Sequence, residues 1–267
     1  MRRGNWRMAE TVPFRARGFV ARERGWAAAV TLLAVLAVWQ IGAELRWFSV
    51  AFLSTPAAIA RALWHLAISG ELGRDLGASL GRLLGGWLGG TLAGLVAGLA
   101  IGLFSTLRSP GMAVVSALFP IPKIALVPLF IIWFGIGEGS KLVTVGFGVF
   151  FPMAISTIAA VDAVPRNLIR MGQSFGLSQA AVVWRIVLPG ALPALLAAMR
   201  ITAATAIILL VAAEMIGAEN GIGAFVLRAG NLYDIDALMA GIAVLSLIGL
   251  VAARLIGLAE RALLKWR

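Results

Sequence analysis

The fold of this chain follows from residues 80–103, which read LGRLLGGWLGGTLAGLVAGLAIGL. A helix needs about 20 mostly apolar residues to cross ~30 Å of hydrocarbon, and this run is long enough. Every fourth residue from Gly86 to Gly102 is a glycine, so one stripe of the helix has an almost bare backbone. Such a stripe lets a neighbouring helix approach closely within a bilayer. The run therefore predicts a membrane-spanning helix packed tightly against another helix.

The composition extends this prediction to the whole chain. Of its 267 residues, 61% are hydrophobic and 13% are charged, with a mean hydropathy of +0.95. Soluble domains have about 45–50% apolar and about 25% charged residues, and disordered chains are less hydrophobic still. We therefore expect an all-α integral membrane protein in contact with lipid.

The net charge of +11 indicates membrane orientation and gives no reason to expect nucleic-acid binding. Basic residues flank the apolar runs, and a group of arginines precedes the first run. The chain has no cysteine and one histidine, His65, so we expect neither a metal centre nor redox chemistry. The arginines of the leading group are Arg2, Arg3, Arg7, Arg15, Arg17, Arg22 and Arg24.

Hydropathy predicts six transmembrane helices. The first run reads as an uncleaved signal anchor, and Pro120, Pro122 and Pro128 are expected to interrupt the third span. The prolines Pro189 and Pro193 are expected to break the chain before the fifth. The predicted spans are 26–43, 80–103, 112–134, 142–161, 194–217 and 237–258.

The positive-inside rule orients these spans. It places the basic segment 1–25 in the cytoplasm, together with Arg108, the loop after span four and the basic tail. Both termini are then cytoplasmic. We expect a cytoplasmic segment over residues 1–25 and a six-span transmembrane domain over residues 26–267, with a cytoplasmic loop over residues 162–193.

That loop predicts a short amphipathic helix. Pro165 suits its first turn and Gly176 its end, and Ser178 can cap a second helix that runs to Ile186. Such a helix could lie on the lipid surface or insert its apolar stripe into a groove of a partner protein, and periodicity alone does not choose. The stripe comprises Leu168, Met171, Gly172 and Phe175, and Arg170 lies opposite.

The same loop resembles the cytoplasmic EAA loop of permease subunits of bacterial ABC importers. That motif is Glu-Ala-Ala, three residues, Gly, nine residues, then Ile-x-Leu-Pro. Gly176 and the run Ile186-Val187-Leu188-Pro189 match it in identity and spacing, whereas Arg170-Met171-Gly172 replaces Glu-Ala-Ala. The resemblance implies a coupling helix that docks on an ATPase subunit. The implied coupling residues are Leu168, Arg170, Met171, Gly172, Phe175, Gly176, Ile186, Leu188 and Pro189.

Other stretches are similar to the nitrate, taurine and alkanesulfonate branch of these permeases. They are PIPKIALVPLFIIWFGIG at 120–137, AAEMIG at 212–217 leading into NGIG at 220–223, and the tail with Glu260-Arg261. The resemblance implies the type I ABC importer permease fold and import of a small anion such as a sulfonate, taurine or nitrate across the bacterial inner membrane. The implied partners are a second permease copy, two ATPase subunits that bind ATP and Mg²⁺, and an extracytoplasmic binding protein.

Four residues are candidates for the translocation path: Lys123, Pro128, Glu214 and Met215. An ionisable group at membrane depth is costly unless it faces protein or water. Glu214 could therefore line the path, or it could pair with a neighbouring helix, for example through Lys123. Lys123 could attract an anion or donate a hydrogen bond to carbonyls that the prolines leave free.

A rival interpretation is a secondary transporter or channel driven by an ion gradient, with Glu214 as its cation site. The intact spacing from Gly176 to Pro189 argues against it. A membrane enzyme is less favoured because the intramembrane polar residues are too scattered for a reaction site. The chain contains no GxxxxGK[ST] phosphate loop, so we expect a transport subunit without ATPase activity or a cofactor of its own.

Overall fold

The computed structural model describes residues 25–49 and 52–264. This part of the chain is helical and contains no strand, as the composition predicts. It falls into two units, residues 1–50 and 51–267. The helices are α1 (Gly25–Glu44), α2 (Pro56–Ile68), α3 (Glu71–Leu103), α4 (Ser105–Leu118), α5 (Val127–Phe134), α6 (Glu138–Asp162), α7 (Arg166–Ser174), α8 (Gln179–Val182), α9 (Leu188–Gly217), α10 (Ile222–Asn231) and α11 (Ile235–Leu263).

Helix α1 is the described element of the first unit. It is apolar and 20 residues long, and its bounds agree with those of the first predicted span. That this helix crosses the membrane stays a prediction. The predicted cytoplasmic segment 1–25 lies, apart from its last residue, outside the described residues.

The predicted glycine stripe of α3 packs against α6. A Cβ atom on Gly90 would collide with the backbone of Gly146, and one on Gly94 would lie 2.9 Å from the Cβ of Met153. Backbone-to-backbone approach of this kind is available only to the smallest residues, and it stabilises helix pairs in lipid through van der Waals contact. The α3–α6 pair is therefore the central contact of the second unit.

The third predicted span is broken. Helices α4 and α5 meet at an angle of 83°, and the break contains Pro120 and Pro122 followed by a 3₁₀ turn, Lys123–Leu126. Pro128 lies in the first turn of α5, where its missing N–H leaves no hydrogen bond unmade. The expectation that Pro128 also interrupts the span was therefore wrong.

The expected break before the fifth span was also wrong. One helix of 39 residues runs from Gln179 to Gly217, with a π-helical turn at Val183–Val187. The wider π turn makes room for the ring of Pro189. The helix therefore passes directly from the predicted coupling loop into the membrane span.

Apart from α1 and the broken third span, the spans are longer than hydropathy suggests. The four unbroken helices apolar enough to cross a membrane, within the described residues, are α3, α6, α11 and the helix ending in α9, and the bent α4–α5 pair raises the number to five. Helix α3 begins at Glu71, nine positions before the predicted Leu80, because its first turns carry charged side chains such as Asp75 that are paired inside the protein. A hydropathy profile counts each charged residue as unfavourable in a membrane helix and takes no account of its ion-pair partner, so it places the start of the helix too late.

Candidate functional site

Helix α7 occupies the loop after α6, as predicted. Pro165 precedes its first residue, and the chain leaves it at Gly176, whose φ of +75° favours glycine. The amide of Leu177 donates to the carbonyl of Gly172 at 3.1 Å and closes the end of the helix. The second helix begins at Ser178, whose hydroxyl accepts from the amide of Ala181.

The apolar residues of α7 divide between two faces. Ile169 and Gly172 face the protein. Leu168, Met171 and Phe175 point outward, with 40%, 52% and 79% of their surfaces exposed. We call these three residues the coupling surface. Gly172 is therefore not part of the free stripe that the sequence predicted.

Gly172 instead joins α7 to the following helix. A Cβ atom there would lie 2.6 Å from Cδ1 of Ile186 and 3.3 Å from Cδ1 of Leu177. Ile186 is half-buried beneath α7, and Leu188 is half-buried, whereas Pro189 and Arg170 are exposed. Of the four residues of the Ile-x-Leu-Pro run, Ile186 is the one that packs against α7, at Gly172.

A cavity of about 1260 Å³ opens beside α7. Its wall includes Gln173, the exposed indole of Trp184, and the ion pair of Arg108 with Asp162. The Arg108 guanidinium donates to the two carboxylate oxygens of Asp162 at 2.9 and 2.6 Å. Trp184 was not among the predicted coupling residues, because its exposure is visible only in the structure. An exposed tryptophan is typical of a contact surface.

Glu214 lies at the opposite end of α6 from α7 and is fully buried. Its carboxylate accepts from the hydroxyl of Ser79 at 2.8 Å, from Nη1 of Arg82 at 2.8 Å and from the amide of Gly223 at 2.9 Å. The partner of Glu214 is therefore Arg82, and the suggested pairing with Lys123 does not occur. Of the two alternatives for Glu214, the structure has the paired carboxylate, which three hydrogen-bond donors hold inside the protein.

Arg82 joins four elements. Nη1 also donates to the carbonyl of Asn220 at 2.6 Å, while Nε and Nη2 donate to the two oxygens of Glu138 at 2.6 Å each. We call Asp75, Ser79, Arg82, Glu138 and Glu214 the Arg82 cluster. It ties together α3, α6, the end of α9 and the turn before α10.

The turn before α10 is fixed by the same cluster. The amide of Gly221 donates to Asp75 at 3.0 Å and that of Ile222 to Ser79 at 2.9 Å. Gly221 has a φ of +128°, and a Cβ there would lie 2.5 Å from Oε1 of Glu214. Arg228 completes the arrangement with a hydrogen bond to Asp75 at 3.2 Å.

Lys123 lies apart from the Arg82 cluster. Its ammonium group donates to the carbonyl of Phe119 at the end of α4 and sits 4.6 Å from the centre of the Phe119 ring. Beside it is Gly148, near the middle of α6. The structure thus has the hydrogen-bonded arrangement that was one of the two alternatives for this residue. Pro128 is exposed and Met215 is 38% exposed.

Of the Arg82 cluster, only Glu214 was a candidate residue from the sequence. Asp75, Ser79 and Arg82 recur at i, i+4 and i+7, which places them on one face of a helix. A polar stripe at the start of an otherwise apolar helix was the available signal. The partners Glu138 and Glu214 come from distant segments, so only the fold brings them to this stripe.

Comparison with known proteins gives consistent matches. The family described as "binding-protein-dependent transport system inner membrane component" matches residues 90–265. The chain is 36% identical over 241 residues to the taurine transport system permease protein of Escherichia coli, covering 88% of each chain. It is 32% identical over 244 residues to a putative aliphatic sulfonates transport permease protein of Bacillus subtilis, covering 91% of this chain and 88% of the relative.

Two further matches widen the picture. The riboflavin transport system permease protein of Chloroflexus aurantiacus is 35% identical over 237 residues, with 89% and 88% covered. The inward-facing MetNI methionine ABC transporter has a chain that superposes with a TM-score of 0.67 at 21% identity, covering 74% of this chain and 98% of that chain. The structural match confirms the fold. The family match covers Glu138 and Glu214 of the Arg82 cluster, whereas Asp75, Ser79 and Arg82 precede the matched residues.

Proposed function

This chain belongs to the family of binding-protein-dependent transport system inner membrane components, and on that premise we propose that it is the permease subunit of an ATP-driven importer for a small sulfonate of the taurine class. The observation that carries the proposal is the coupling surface. Leu168, Met171 and Phe175 are apolar and exposed at the end of a short helix that is otherwise anchored in the protein. An apolar helix face of this kind fits a groove on a partner protein.

We assign the partners as follows. Two ATPase subunits bind ATP and Mg²⁺ and receive the coupling surface, a second permease copy completes the pathway, and an extracytoplasmic binding protein delivers the solute. Residues 1–25 are the cytoplasmic basic segment, residues 26–267 the six-span domain, and 162–193 its coupling loop, with both termini cytoplasmic. This chain is a transport subunit, and the hydrolysis takes place on its partners.

The long helix Gln179–Gly217 supports a mechanical link between the two ends of the protein. At 1.5 Å per residue its 39 residues extend about 58 Å. One end packs beneath α7 through Ile186, and the other carries Glu214 in the Arg82 cluster. A displacement of α7 by a closing ATPase pair therefore reaches the far end of the membrane through one continuous element.

Lys123 is the proposed attractive charge of the translocation path. It lies beside Gly148 near mid-helix on α6 and next to the break between α4 and α5, and broken helices at membrane depth are tolerated where they line a cavity or are buried in protein. Pro128 and Met215 belong to the same proposed route. Glu214 is fully buried and paired with Arg82, so its proposed role is to hold the helices that form the route in place.

The rival function, an ion-gradient transporter with Glu214 as cation site, is not favoured. The Glu214 carboxylate already has an arginine, a hydroxyl and a backbone amide as donors, so it offers no free oxygen ligands to a passing cation. The sequence relatives are permeases of transport systems for taurine and sulfonates.

Reconstitution tests the proposed function. The chain is placed in proteoliposomes with its ATPase and the binding protein loaded with radiolabelled taurine. We expect taurine uptake only when the permease, the ATPase and the binding protein are all present and ATP is supplied on the side of the membrane that carries the ATPase. Uptake by the permease alone under a proton or sodium gradient would contradict the proposal.

A further inference from the structure

We propose that the outer edge of the Arg82 guanidinium is a binding site for an oxyanion, and that Glu138 occupies it as a tethered substitute for that anion. The inference rests on the proposed function, because it names a residue that the imported sulfonate would meet. The site would take an anion that presents two oxygens from one centre, such as a sulfonate, because such an anion matches the two parallel N–H donors of arginine.

The two edges of Arg82 have different surroundings. Nη1 points inward, to Glu214 and to the carbonyl of Asn220. Among residues 25–49 and 52–264, Nε and Nη2 donate to Glu138 alone, and both oxygens of Glu138 accept in this contact. The Arg82 side chain is 6% exposed whereas that of Glu138 is 63% exposed. Glu138 therefore covers the second edge from the outside, and its departure would open that edge.

Glu138 is placed where its side chain can leave. It is the first residue of α6 and follows Gly135, with a φ of +81°, and Gly137. Within the described residues its carboxylate accepts hydrogen bonds from Arg82 only. Glu214, by contrast, is fully buried with three donors on its carboxylate. The contact of Arg82 with Glu138 is therefore exchangeable, and its contact with Glu214 is permanent.

Charge balance favours an anion in place of Glu138. The buried ammonium of Lys141, which donates to the carbonyl of Gly137 at 2.9 Å, lies one helical turn from Glu138. Without Glu138, two positive groups, Arg82 and Lys141, face one negative group, Glu214. Asp75 and Glu71 do not change this balance because two cations, Arg228 and Arg74, lie beside them. A monovalent anion restores neutrality next to two buried cations, whose charge is costly unless it is paired.

The test measures binding of sodium methanesulfonate to the full chain in its complex with the ATPase, in nanodiscs, at constant ionic strength. Glu138→Gln removes the competing charge and keeps the shape, so we expect at least tenfold tighter binding than in wild type. Addition of Arg82→Gln should abolish the saturable response. The matched control is Asp162→Asn, which frees Arg108, an equally bidentate but exposed guanidinium, and should leave binding at the wild-type level.

A conservative variant guards against misfolding. Glu138→Asp keeps the charge but withdraws the carboxylate from Arg82 by one methylene, so its affinity should fall between wild type and Glu138→Gln. Equal affinities in wild type, Glu138→Gln and Asp162→Asn would overturn the inference, as would equal tightening by chloride. Failure of ATP-driven taurine uptake by the wild-type complex would instead contradict the proposed function, because methanesulfonate binding is measured without transport.

Discussion

The Arg82 cluster and the coupling surface lie near opposite ends of the long helix Gln179–Gly217 and differ in polarity and burial. The Arg82 cluster is polar and, apart from Glu138, buried, and its hydrogen-bond partners come from the chain itself. The coupling surface is apolar, exposed and without a covering element in the described chain. The buried groups of the Arg82 cluster are thus paired within this unit, whereas the coupling surface is the face that we propose to dock on a partner.

The largest expected effect comes from removing Arg82. Arg82→Ala leaves the carboxylate of Glu214 buried without its cation, and breaking a buried pair in this way costs about 3–5 kcal/mol of folding free energy. We expect a strongly lowered thermal unfolding midpoint and poor recovery of the purified protein. The comparison variant is Arg108→Ala, which breaks an exposed ion pair at the other end. If both variants unfolded alike, the distinction between the two ends would not hold.

Phe175→Glu should damage function without damaging the fold. A charge at this position of the coupling surface is hydrated in the free permease, because Phe175 is 79% exposed, but it would be desolvated in a groove of the ATPase. Loss of one buried aromatic anchor typically costs about 2 kcal/mol or more of binding, so ATPase retention on affinity-purified permease should fall at least tenfold. Leu232→Glu, equally exposed and far from α7 in the chain, is the control and should retain the ATPase.

Gly221→Ala should have a smaller effect, confined to the end of the Arg82 cluster. Its φ of +128° is unfavourable for any residue with a Cβ, and that atom would crowd the Glu214 carboxylate. Strained backbone of this kind costs about 1–3 kcal/mol. We expect faster amide hydrogen exchange in residues 219–223 with unchanged exchange in α7. Increased exchange in α7 as well would mean that the two ends are not structurally separate.

The sequence predicted the fold class, the helical loop after α6 and the glycine contact of α3, because apolar periodicity and small-residue spacing are local properties. It did not predict that Gly172 faces inward, since the packing of α7 on Ile186 depends on the following helix. It did not predict the continuous helix through Pro189 either, because the π turn that accommodates this proline has no simple sequence signal. The partners of Arg82 come from α6 and α9 and could be found only in the folded chain.

The central claim, that the coupling surface docks on an ATPase, is most directly tested by site-directed crosslinking. The chain has no cysteine, so Phe175→Cys carries a single thiol, and Leu232→Cys provides the same thiol at the other end. Single cysteines are introduced around the candidate groove of the ATPase, and the complex is assembled. Phe175→Cys should then form a crosslinked permease–ATPase product whose yield changes on ATP binding. Leu232→Cys should form no such product. Failure of Phe175→Cys to crosslink to any ATPase position, with its thiol reacting only with lipid-soluble reagents, would contradict the account.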